Sequence, residues 1–292
     1  MLKGAILIAG PTASGKSALA LEMAREKSAV IINADSMQVY SVLNLLTARP
    51  GPEELSAAPH RLYGHVAPGE PYSTGRWVRD VGELIKAEGL GARAVIFVGG
   101  TGLYFRALTE GLAPMPDVPD AVRARWRERL AVEGGEALHR RLAEADPVAA
   151  GRIRQSDGQR IVRALEVLEA SGKPISHWQA QSSCPLVDSA SSRKIVLTPD
   201  RERLARRIEE RFDRMIRLGA AKEVEELLAL DLPPSMPAMK AIGVREIAAA
   251  LAGEISMDEA ASRAKAATRQ YAKRQMTWFR HQFGPDWERV VS

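Results

Sequence analysis

A glycine-rich segment near the N-terminus constrains the fold of this chain more than any other feature. It has the sequence GPTASGKS, formed by Gly10, Pro11, Thr12, Ala13, Ser14, Gly15, Lys16 and Ser17, and it matches the pattern G-x-x-x-x-G-K-[ST] in full. An apolar run at residues 5–9 precedes it, and a helix-forming segment at residues 18–27 follows it. The order strand, glycine loop, helix predicts backbone amides that turn inward on a phosphate, because glycine permits conformations that a Cβ would obstruct.

Two side chains of this segment, here called the phosphate loop, add to the predicted site. Lys16 would place a positive charge at the outer phosphate, and Ser17 has a hydroxyl of the kind that holds Mg²⁺ in such loops. The positive end of the following helix dipole would lie at the same point. A diphosphate is the minimal ligand for this arrangement, but the loop alone does not specify a reaction.

The composition is that of an ordinary soluble globular protein. The 292 residues are 46% hydrophobic and 26% charged, which suits one large α/β domain or a core with a smaller appendage. The apolar runs are short for a membrane span and no charged and apolar leader is evident, so we expect a cytoplasmic location. A single cysteine, Cys184, cannot form an internal disulfide, and the net charge of +5 permits an anionic macromolecule as partner.

Two more apolar runs predict strands that lie in the same sheet as the first. Residues 29–33 (AVIIN) are followed by Asp35, and residues 94–98 (AVIFV) continue into a second glycine loop at residues 99–102 (GGTG). Ligands of open α/β sheets lie at the carboxyl ends of the strands, so we expect Asp35 beside the phosphate loop, as a base or a metal ligand. A helix N-cap explains Asp35 equally well. Thr101 and its neighbouring amides can face the same phosphates, although a tight strand-to-helix turn also explains the glycines.

Two changes in composition bracket a helical middle segment. Residues 114–119 are rich in proline, and residues 182–192 are rich in serine. We therefore predict a catalytic core of residues 1–116 and 193–292 and a helical insertion domain of residues 117–192. The insertion carries many arginines, and for most of them a solvated helix face balanced by acidic neighbours is the better interpretation.

Other segments give weaker signals. Residues 50–65 are rich in Pro, Gly and His and predict a loop, in which His60 and His65 lack the further ligands of a structural zinc site. Residues 194–198 predict a return strand, and residues 201–230 predict one long or two consecutive amphipathic helices.

The C-terminal region is basic and also rich in aromatic residues. No acidic residue occurs between positions 260 and 285, where Lys and Arg are interleaved with Tyr, Trp, Phe and His. This pattern suits a groove for nucleic acid, with cations on phosphates and rings on bases. A surface helix with buried Trp and Phe explains it equally well.

Together the motifs form a recognisable set. They are GPTASGKS at Gly10, INADSMQVY at Ile32, TARP at Thr47, PYSTGR at Pro71, VGGTGLYFRAL at Val98, DGQRIVRALEV at Asp157, RIEERFDRMI at Arg207, AMKAIGVRE at Ala238 and TRQYAKRQMTWFR at Thr268. In this order they cover nearly the whole chain and resemble the tRNA dimethylallyltransferases, also called tRNA isopentenyltransferases. Two segments depart from the family pattern, namely residues 41–46 after the tyrosine and PHRLYGH at Pro59, which replaces a more usual PHHL.

The resemblance implies transfer of a five-carbon prenyl group from dimethylallyl diphosphate to the exocyclic amine of the adenosine 3′-adjacent to the anticodon. It also implies a P-loop NTPase-like parallel sheet flanked by helices. Asp35 would be the general base, Thr101 would touch the reacting centre, and Lys16 and Arg211 would join the phosphate loop around the departing diphosphate. Mg²⁺ is the expected cofactor, with Ser17 as its ligand.

The same resemblance implies that the macromolecular partner is the anticodon stem-loop of tRNA. The residues expected around the flipped-out adenine are Asp35, Ser36, Met37, Gln38 and Thr101. Those expected to contact the stem-loop from the insertion domain are Arg123, Gln159, Arg160, Ile161, Val162 and Arg163. We expect no membrane association, and a monomer is the default expectation.

Two other functions are compatible with parts of the sequence. A P-loop small-molecule or nucleoside kinase would share the phosphate loop, the parallel sheet and a base after the second strand. A non-catalytic RNA-binding protein that uses nucleotide only as a switch would bind tRNA without forming product. Neither accounts for GGTGLY together with QRIVRALEV and TRQYAKRQ.

Overall fold

The protein, described by a computed structural model, divides into two compact units. The structure describes residues 1–181 and 184–292. The first unit consists of Met1–Glu110 and Pro185–Ser292, and the second is Gly111–Cys184.

The unit boundaries differ in detail from the joints suggested by composition. The second unit begins before the predicted boundary at residue 117 and ends before the predicted boundary at residue 192. Part of the Ser-rich joint, Ser182 and Ser183, lies outside the described residues. Cys184 is exposed.

A six-stranded parallel sheet forms the centre of the first unit, as the sequence predicts. Its strands are Ile6–Ala9 (β1), Val30–Asn33 (β2), His60–Arg61 (β3), Val95–Gly99 (β4), Arg193–Leu197 (β5) and Glu288–Val290 (β6). They lie in the order β3-β2-β4-β1-β5-β6, so β1 and β4 are central. Every residue of β1, β2 and β4 is buried, and burial on both faces accounts for their continuous apolar sequences.

Helices make up most of the remaining chain. In chain order they are Lys16–Lys27 (α1), Pro52–Ala57 (α2), Thr74–Ala87 (α3), Gly102–Glu110 (α4), Asp120–Ala145 (α5), Pro147–Ala150 (α6), Gly158–Ser171 (α7), Ile175–Gln179 (α8), Arg201–Arg217 (α9), Ala220–Leu228 (α10), Val244–Leu251 (α11) and Met257–Gln282 (α12). Short 3₁₀ turns occur at Leu90–Ala92 and Ala238–Lys240. Of the helices within the described ranges, none has both the length and the apolar sequence that crossing a membrane requires.

Alternate residues of the central strands pack on opposite faces of the sheet. Leu7 and Phe97 lie in one apolar cluster with side chains of α3, α4 and the end of α12. Ile8 and Ile96 lie in another cluster with side chains of α1. The sheet is therefore flanked by helices on both faces, which leaves the carboxyl ends of the strands for the site.

The predicted loop at residues 50–65 is wrong, because this segment contains α2 and β3. Pro52 takes the first helical position, where a missing amide hydrogen has no cost, and the Glu54 carboxylate accepts from the amide of Gly51 at 2.8 Å. His60 pairs with Ile31 at the sheet edge. Both elements are too short to give a periodic signal, and the part of the chain that the structure describes holds no cluster of His, Cys, Asp or Glu suited to a metal.

The predicted helical region at residues 201–230 forms two helices. The break between α9 and α10 lies at Gly219, whose φ of 100° is in the left-handed region that glycine adopts without strain. Buried residues along both helices follow helical spacing, as the sequence predicts.

The second unit is helical and has an apolar core of its own. Core residues include Trp126, Leu138, Leu142, Ile161 and Leu165. The longest helix of this unit, α5, is kinked at Gly134, where φ is 78° and ψ is 165°.

Many arginines of the second unit pair with acidic residues on the same helix face, as the sequence predicts. Arg129 contacts Glu133 at 2.6 Å, and Arg140 contacts Glu136 at 3.1 Å, both one helical turn apart. The Arg140–Glu136 pair is exposed, and such a pair contributes little to stability, typically about 0.3–0.5 kcal/mol.

Candidate active site

The phosphate loop connects the carboxyl end of β1 to the first turn of α1. Ala13 and Gly15 have φ angles of 63° and 90°. The Ser14 amide donates to the Pro11 carbonyl at 3.2 Å, and the Lys16 Nζ donates to the same carbonyl at 3.3 Å. The loop is thus closed on itself at the end of a buried strand, in the order that the sequence predicts.

Lys16 lies in an environment that destabilises its charge. Burial is the main reason that the pKa of Lys16 falls to about 8; the Asp35 carboxylate opposes this shift, and the Arg211 guanidinium adds to it. The lysine is therefore mostly protonated at neutral pH and loses its charge a little above. The mutual influence of these three groups indicates that they share one local environment.

Asp35 follows β2 in a turn, so the helix N-cap interpretation is wrong. The Met37 amide donates to Asp35 Oδ1 at 3.0 Å, and the Asp35 amide donates to the Asn33 side-chain oxygen at 2.8 Å. Asn33 is buried, and its amide nitrogen donates to the carbonyls of Asp35 and Leu62. These bonds fix both the backbone and the carboxylate of Asp35.

The second glycine loop holds the Asp35 segment in place. The Thr101 amide donates to the Ala34 carbonyl at 3.2 Å, and Thr101 Oγ1 accepts from the Ser36 amide at 2.9 Å. A Cβ on Gly99 would lie 2.0 Å from the Ala34 carbonyl oxygen, so only glycine permits this close approach of the two segments. The interpretation as a tight strand-to-helix turn is therefore confirmed. The turn brings Thr101 to Ser36, next to Asp35, and the predicted role of Thr101 toward the phosphates stays a prediction.

Two helices from the C-terminal part of the chain complete the site. Arg211 of α9, whose guanidinium pKa is lowered by burial, donates a hydrogen bond to Thr12 Oγ1. Gln275 of α12 accepts from the Thr12 amide at 2.9 Å and donates to the Gly100 carbonyl at 3.0 Å. Side chains remote in sequence thus contact both glycine loops.

A cavity of about 330 Å³ in the first unit joins the phosphate loop to Asp35. Its polar lining includes Thr12, Asp35, Ser36, Thr47, Arg211, Tyr271 and Arg274. Its apolar lining includes Leu46, Ile208, Phe212, Met215 and Ile242. A charged and a hydrophobic wall in one cavity suit a ligand with an anionic head and a short apolar tail.

The C-terminal helix α12 buries some of its aromatic residues, as one interpretation of its sequence predicts, while the predicted groove for nucleic acid stays a prediction. Phe279 is buried in the core, and Arg269 contacts Glu209 at 3.0 Å. Tyr271 and Arg274, in contrast, line the cavity. Burial and the Asp35 carboxylate raise the pKa of Tyr271, so its hydroxyl stays neutral and can donate a hydrogen bond.

In the loop that departs from the family pattern, residues 41–46, one carboxylate accepts hydrogen bonds from three consecutive backbone amides. Glu223 of α10 accepts from the amides of Asn44, Leu45 and Leu46 at 3.1, 2.5 and 3.1 Å. The side-chain amide of Gln38 donates to the carbonyls of Thr47 and Ala48, at 2.8 and 3.0 Å. Since Leu46 and Thr47 line the cavity, these bonds shape one of its walls.

The predicted contact residues of the insertion differ in exposure within the second unit. Gln159 and Arg160 are exposed at the start of α7, whereas Ile161 and Val162 are buried in the core. Arg163 is half-buried and lies 3.6 Å from Glu166. The side chains of Ile161 and Val162 support the helix and do not offer a surface to a partner.

Arg123, the other predicted contact of this unit, lies near the start of α5. Its Nε donates to the Val118 carbonyl at 3.2 Å and lies 4.0 Å from a carboxylate oxygen of Asp120. The remaining nitrogens of its half-exposed guanidinium can serve further acceptors.

Sequence reasoning missed Gln275, Glu223 and the cavity-facing roles of Tyr271 and Arg274. Gln275 carried a signal, because it continues the buried stripe of α12 formed by Thr268, Ala272 and Phe279. A polar residue at a buried helical position usually has hydrogen-bond partners. Glu223 carried none, since its partners are backbone amides of a distant loop.

Comparison with known protein families shows which family this chain belongs to. A model described as IPP transferase matches residues 38–282, and another described as isopentenyl transferase matches residues 3–65. The chain belongs to the IPP transferase family. The family model spans Asp157, Arg211 and Gln275, so both the insertion and the C-terminal helices are part of it.

Relatives of this IPP transferase share its full length. The tRNA dimethylallyltransferase of Chelativorans sp. (strain BNC1) is 79% identical over 290 residues, which cover 99% of each chain. The tRNA dimethylallyltransferase of Mesorhizobium japonicum (strain LMG 29417 / CECT 9101 / MAFF 303099) is 58% identical over 289 residues, covering 99% of this chain and 90% of that one.

Solved structures of the family have the same fold. The full-length tRNA isopentenylpyrophosphate transferase of Bacillus halodurans has a TM-score of 0.69 and 30% identity, covering 99% of this chain and 90% of that chain. A eukaryotic dimethylallyltransferase, described as acting on tRNA, has a TM-score of 0.81 and 26% identity, covering 99% of this chain and 74% of that chain. The fold is therefore the P-loop-like α/β fold of tRNA isopentenyltransferases with a helical insertion.

Proposed function

We propose that this enzyme transfers the dimethylallyl group of dimethylallyl diphosphate to the exocyclic amine of the adenosine 3′-adjacent to the anticodon in tRNA. The observation that carries the proposal is the cavity that joins Thr12 of the phosphate loop and Arg211 to Asp35. A kinase would use the loop for ATP, but the family affiliation and the names of the relatives favour a prenyl diphosphate. The apolar wall of the cavity supports the same choice, because a five-carbon tail needs such a surface.

Asp35 is the proposed general base. The adenine amine is a weak nucleophile, so its attack on the allylic carbon requires a group that accepts the amine proton as the new carbon–nitrogen bond forms. Asp35 Oδ1 already accepts from the Met37 amide, which orients the carboxylate and leaves Oδ2 for the substrate. The proton moves to Asp35 while the carbon–oxygen bond to the diphosphate breaks.

The phosphate loop and two cations are the proposed site for the leaving diphosphate. The diphosphate gains negative charge as the carbon–oxygen bond breaks, and prearranged amides and cations stabilise that charge. Lys16 and Arg211 are the proposed cations, which is supported by the cavity that Arg211 shares with Asp35 and by the influence of Asp35 and Arg211 on the pKa of Lys16. Thr12 links the phosphate loop to α9, since its hydroxyl accepts a hydrogen bond from the Arg211 guanidinium.

Enzymes of this family are prenyltransferases that generally use a divalent metal, and we propose Mg²⁺ for this one. Ser17 is exposed in the first turn of α1, and its hydroxyl, together with diphosphate oxygens and water, would supply the all-oxygen donor set that Mg²⁺ prefers. When bound, Mg²⁺ would neutralise charge on the diphosphate.

The tRNA would be held from two regions. In the first unit, Ser36 and Met37 line the cavity beside Asp35, and we propose that they surround the flipped-out adenine together with Thr101 and the remaining side-chain oxygen of Gln38. In the second unit, the proposed contacts with the anticodon stem-loop are Arg123, Gln159, Arg160 and Arg163, which all have exposed surface. Cytoplasmic location and a monomeric state stay predictions.

Incubation with unmodified tRNA, Mg²⁺ and dimethylallyl diphosphate, followed by mass spectrometry of the nucleosides, tests the function. We expect isopentenyladenosine at the position 3′ of the anticodon, and none when Lys16→Met replaces the wild type. A parallel incubation with γ-labelled ATP tests for kinase activity. Transfer of label from ATP with no prenylated nucleoside would contradict the proposal.

A further inference from the structure

Gln275 is a buried polar residue with no part in the chemistry described so far. It is 5% exposed and lies on the buried stripe of α12, between Ala272 and Phe279. Its side-chain amide has one partner at each end: the Thr12 amide donates to Oε1 at 2.9 Å, and Nε2 donates to the Gly100 carbonyl at 3.0 Å. The residue therefore spans from one loop to another.

The two partners of Gln275 belong to the two functional loops of the site. Thr12 lies in the phosphate loop and also accepts the hydrogen bond from Arg211. Gly100 precedes Thr101, whose hydroxyl accepts from the Ser36 amide next to Asp35. A continuous set of hydrogen bonds thus runs from the proposed leaving-group site through Gln275 to the segment that carries the base.

The packing around Gly100 shows how close these groups are. A Cβ on Gly100 would lie 2.1 Å from Gln275 Nε2 and 3.2 Å from Asp35 Oδ2. The side-chain amide of Gln275 and the Asp35 carboxylate therefore both lie close to Gly100. A shift of the second glycine loop relative to the phosphate loop would move Asp35 with it.

Packing alone does not account for a glutamine at this position. Burial of an amide group is unfavourable unless both its donor and its acceptor are paired, whereas leucine would fill the same space without that requirement. Both bonds are formed here, and both end on backbone groups of the site. The side chain is thus suited to fixing the separation of two loops.

We propose that Gln275 is a positioning residue of the transfer reaction, which holds the phosphate loop and the second glycine loop at the separation that places the departing diphosphate opposite the Asp35 carboxylate. The proposal rests on the proposed function. Gln275 touches no reacting atom and exchanges no proton. It acts through Thr12 on one side and through Gly100 and Thr101 on the other.

The first test compares Gln275→Leu with Gln270→Leu, an exposed glutamine on the same helix. Because small misplacements of reacting groups are costly, we expect the single-turnover rate of prenyl transfer to fall about tenfold to a hundredfold in Gln275→Leu. The Kd for tRNA and for dimethylallyl thiolodiphosphate, an unreactive analogue, should stay within about threefold. Gln270→Leu should match the wild type. A wild-type rate in Gln275→Leu overturns the proposal.

A double-mutant cycle with Asp35→Asn separates positioning from a general loss of structure. If Gln275 acts through the base, Gln275→Leu should lower the small residual rate of Asp35→Asn by less than about threefold, since groups that act as a unit are non-additive. An equal fold-loss with and without the Asp35 carboxylate overturns the proposal. If the wild type itself forms no isopentenyladenosine, the proposed function is wrong. That outcome is distinct from a failure of the positioning role of Gln275, which is judged only on an active wild type.

A second variant keeps the test valid if Gln275→Leu does not fold. Gln275→Asn keeps the amide but shortens the side chain by one methylene, so it cannot reach both the Thr12 amide and the Gly100 carbonyl. We expect a rate loss in the same direction and the same non-additivity with Asp35→Asn. Thermal melting of each variant, compared with the wild type, shows whether the rate is measured on folded protein. A folded Gln275→Asn with a wild-type rate overturns the proposal.

Discussion

The two units differ in how their polar side chains are used. In the first unit, the polar residues that hold the loops of the candidate site together are buried and bond to backbone groups of those loops, as Asn33 and Gln275 do. In the second unit, arginines lie on the surface and pair with acidic neighbours one turn away, as Arg140 and Arg160 do. The first arrangement fixes atoms in place, whereas the second leaves side chains free to exchange partners.

This difference predicts two kinds of mutational effect. A buried and fully bonded group resists displacement, so its loss should affect the chemical step more than binding. An exposed arginine contributes through charge, so its loss should weaken tRNA binding slightly and in a salt-dependent way. The predictions that follow test this contrast, starting with the largest effect.

The largest effect is expected for Asp35→Asn, which keeps the shape of the side chain and removes the proton acceptor. The single-turnover rate of prenyl transfer should fall by about 10²–10⁴-fold, as is usual for loss of a general base. The Kd for tRNA, measured by fluorescence anisotropy, should stay within about threefold of the wild type. Equal losses in rate and in affinity would mean that Asp35 is structural.

A smaller effect is expected from pH, through Lys16. Its pKa is lowered to about 8, so the lysine loses its charge as pH rises through that value, and affinity for dimethylallyl diphosphate should fall with it. Between pH 7 and pH 9 the charged fraction falls about tenfold, and the Kd measured by calorimetry should rise by about the same factor. Lys16→Arg keeps its charge over this range, so its Kd should change little between pH 7 and pH 9. A wild-type Kd that stays constant over the same range would contradict the role of the Lys16 charge in binding the diphosphate.

The loop that departs from the family pattern provides an intermediate case within the first unit. Glu223→Ala removes the acceptor of three backbone amides, which should lower the free energy of unfolding in urea by about 1–3 kcal/mol. Because Leu46 and Thr47 line the cavity, kcat/KM should fall a few-fold as well. The matched control is Glu226→Ala, an exposed position on the same helix, with an expected change within about 0.5 kcal/mol. Equal changes in both variants would assign no special role to Glu223.

The smallest effect is expected in the second unit. Arg160→Ala should weaken tRNA binding about threefold and reduce the slope of log K against log salt concentration by about 1. The rate on fully bound tRNA should be that of the wild type. Arg140→Ala, another exposed arginine of this unit, serves as control and should leave both quantities unchanged. A rate loss in Arg160→Ala as large as that of Asp35→Asn would remove the contrast between the units.

The sequence predicted those parts of the site that arise from local order. The phosphate loop, Asp35 after β2 and Thr101 after β4 each follow a buried strand, and parallel strands bring their carboxyl ends to one edge. Their grouping therefore follows from the strand pattern alone. The positions of these residues in the structure agree with that expectation, while their chemical roles stay proposals.

The parts that were not predicted depend on contacts between distant segments. Gln275 bonds to Thr12, which lies 263 positions away in the chain, and no local pattern encodes that pairing. The same holds for the contact of Glu223 with residues 44–46. The short elements α2 and β3 were missed for another reason, since six and two residues give no measurable periodicity.

A structure of the enzyme with dimethylallyl thiolodiphosphate and an unmodified anticodon stem-loop would test the central claim most directly. The account predicts the diphosphate against the amides of residues 10–17 and the target adenine amine within about 3 Å of the Asp35 carboxylate, in the cavity that joins them. A diphosphate bound away from that loop, or an amine that faces another group with Asp35 out of reach, would contradict it.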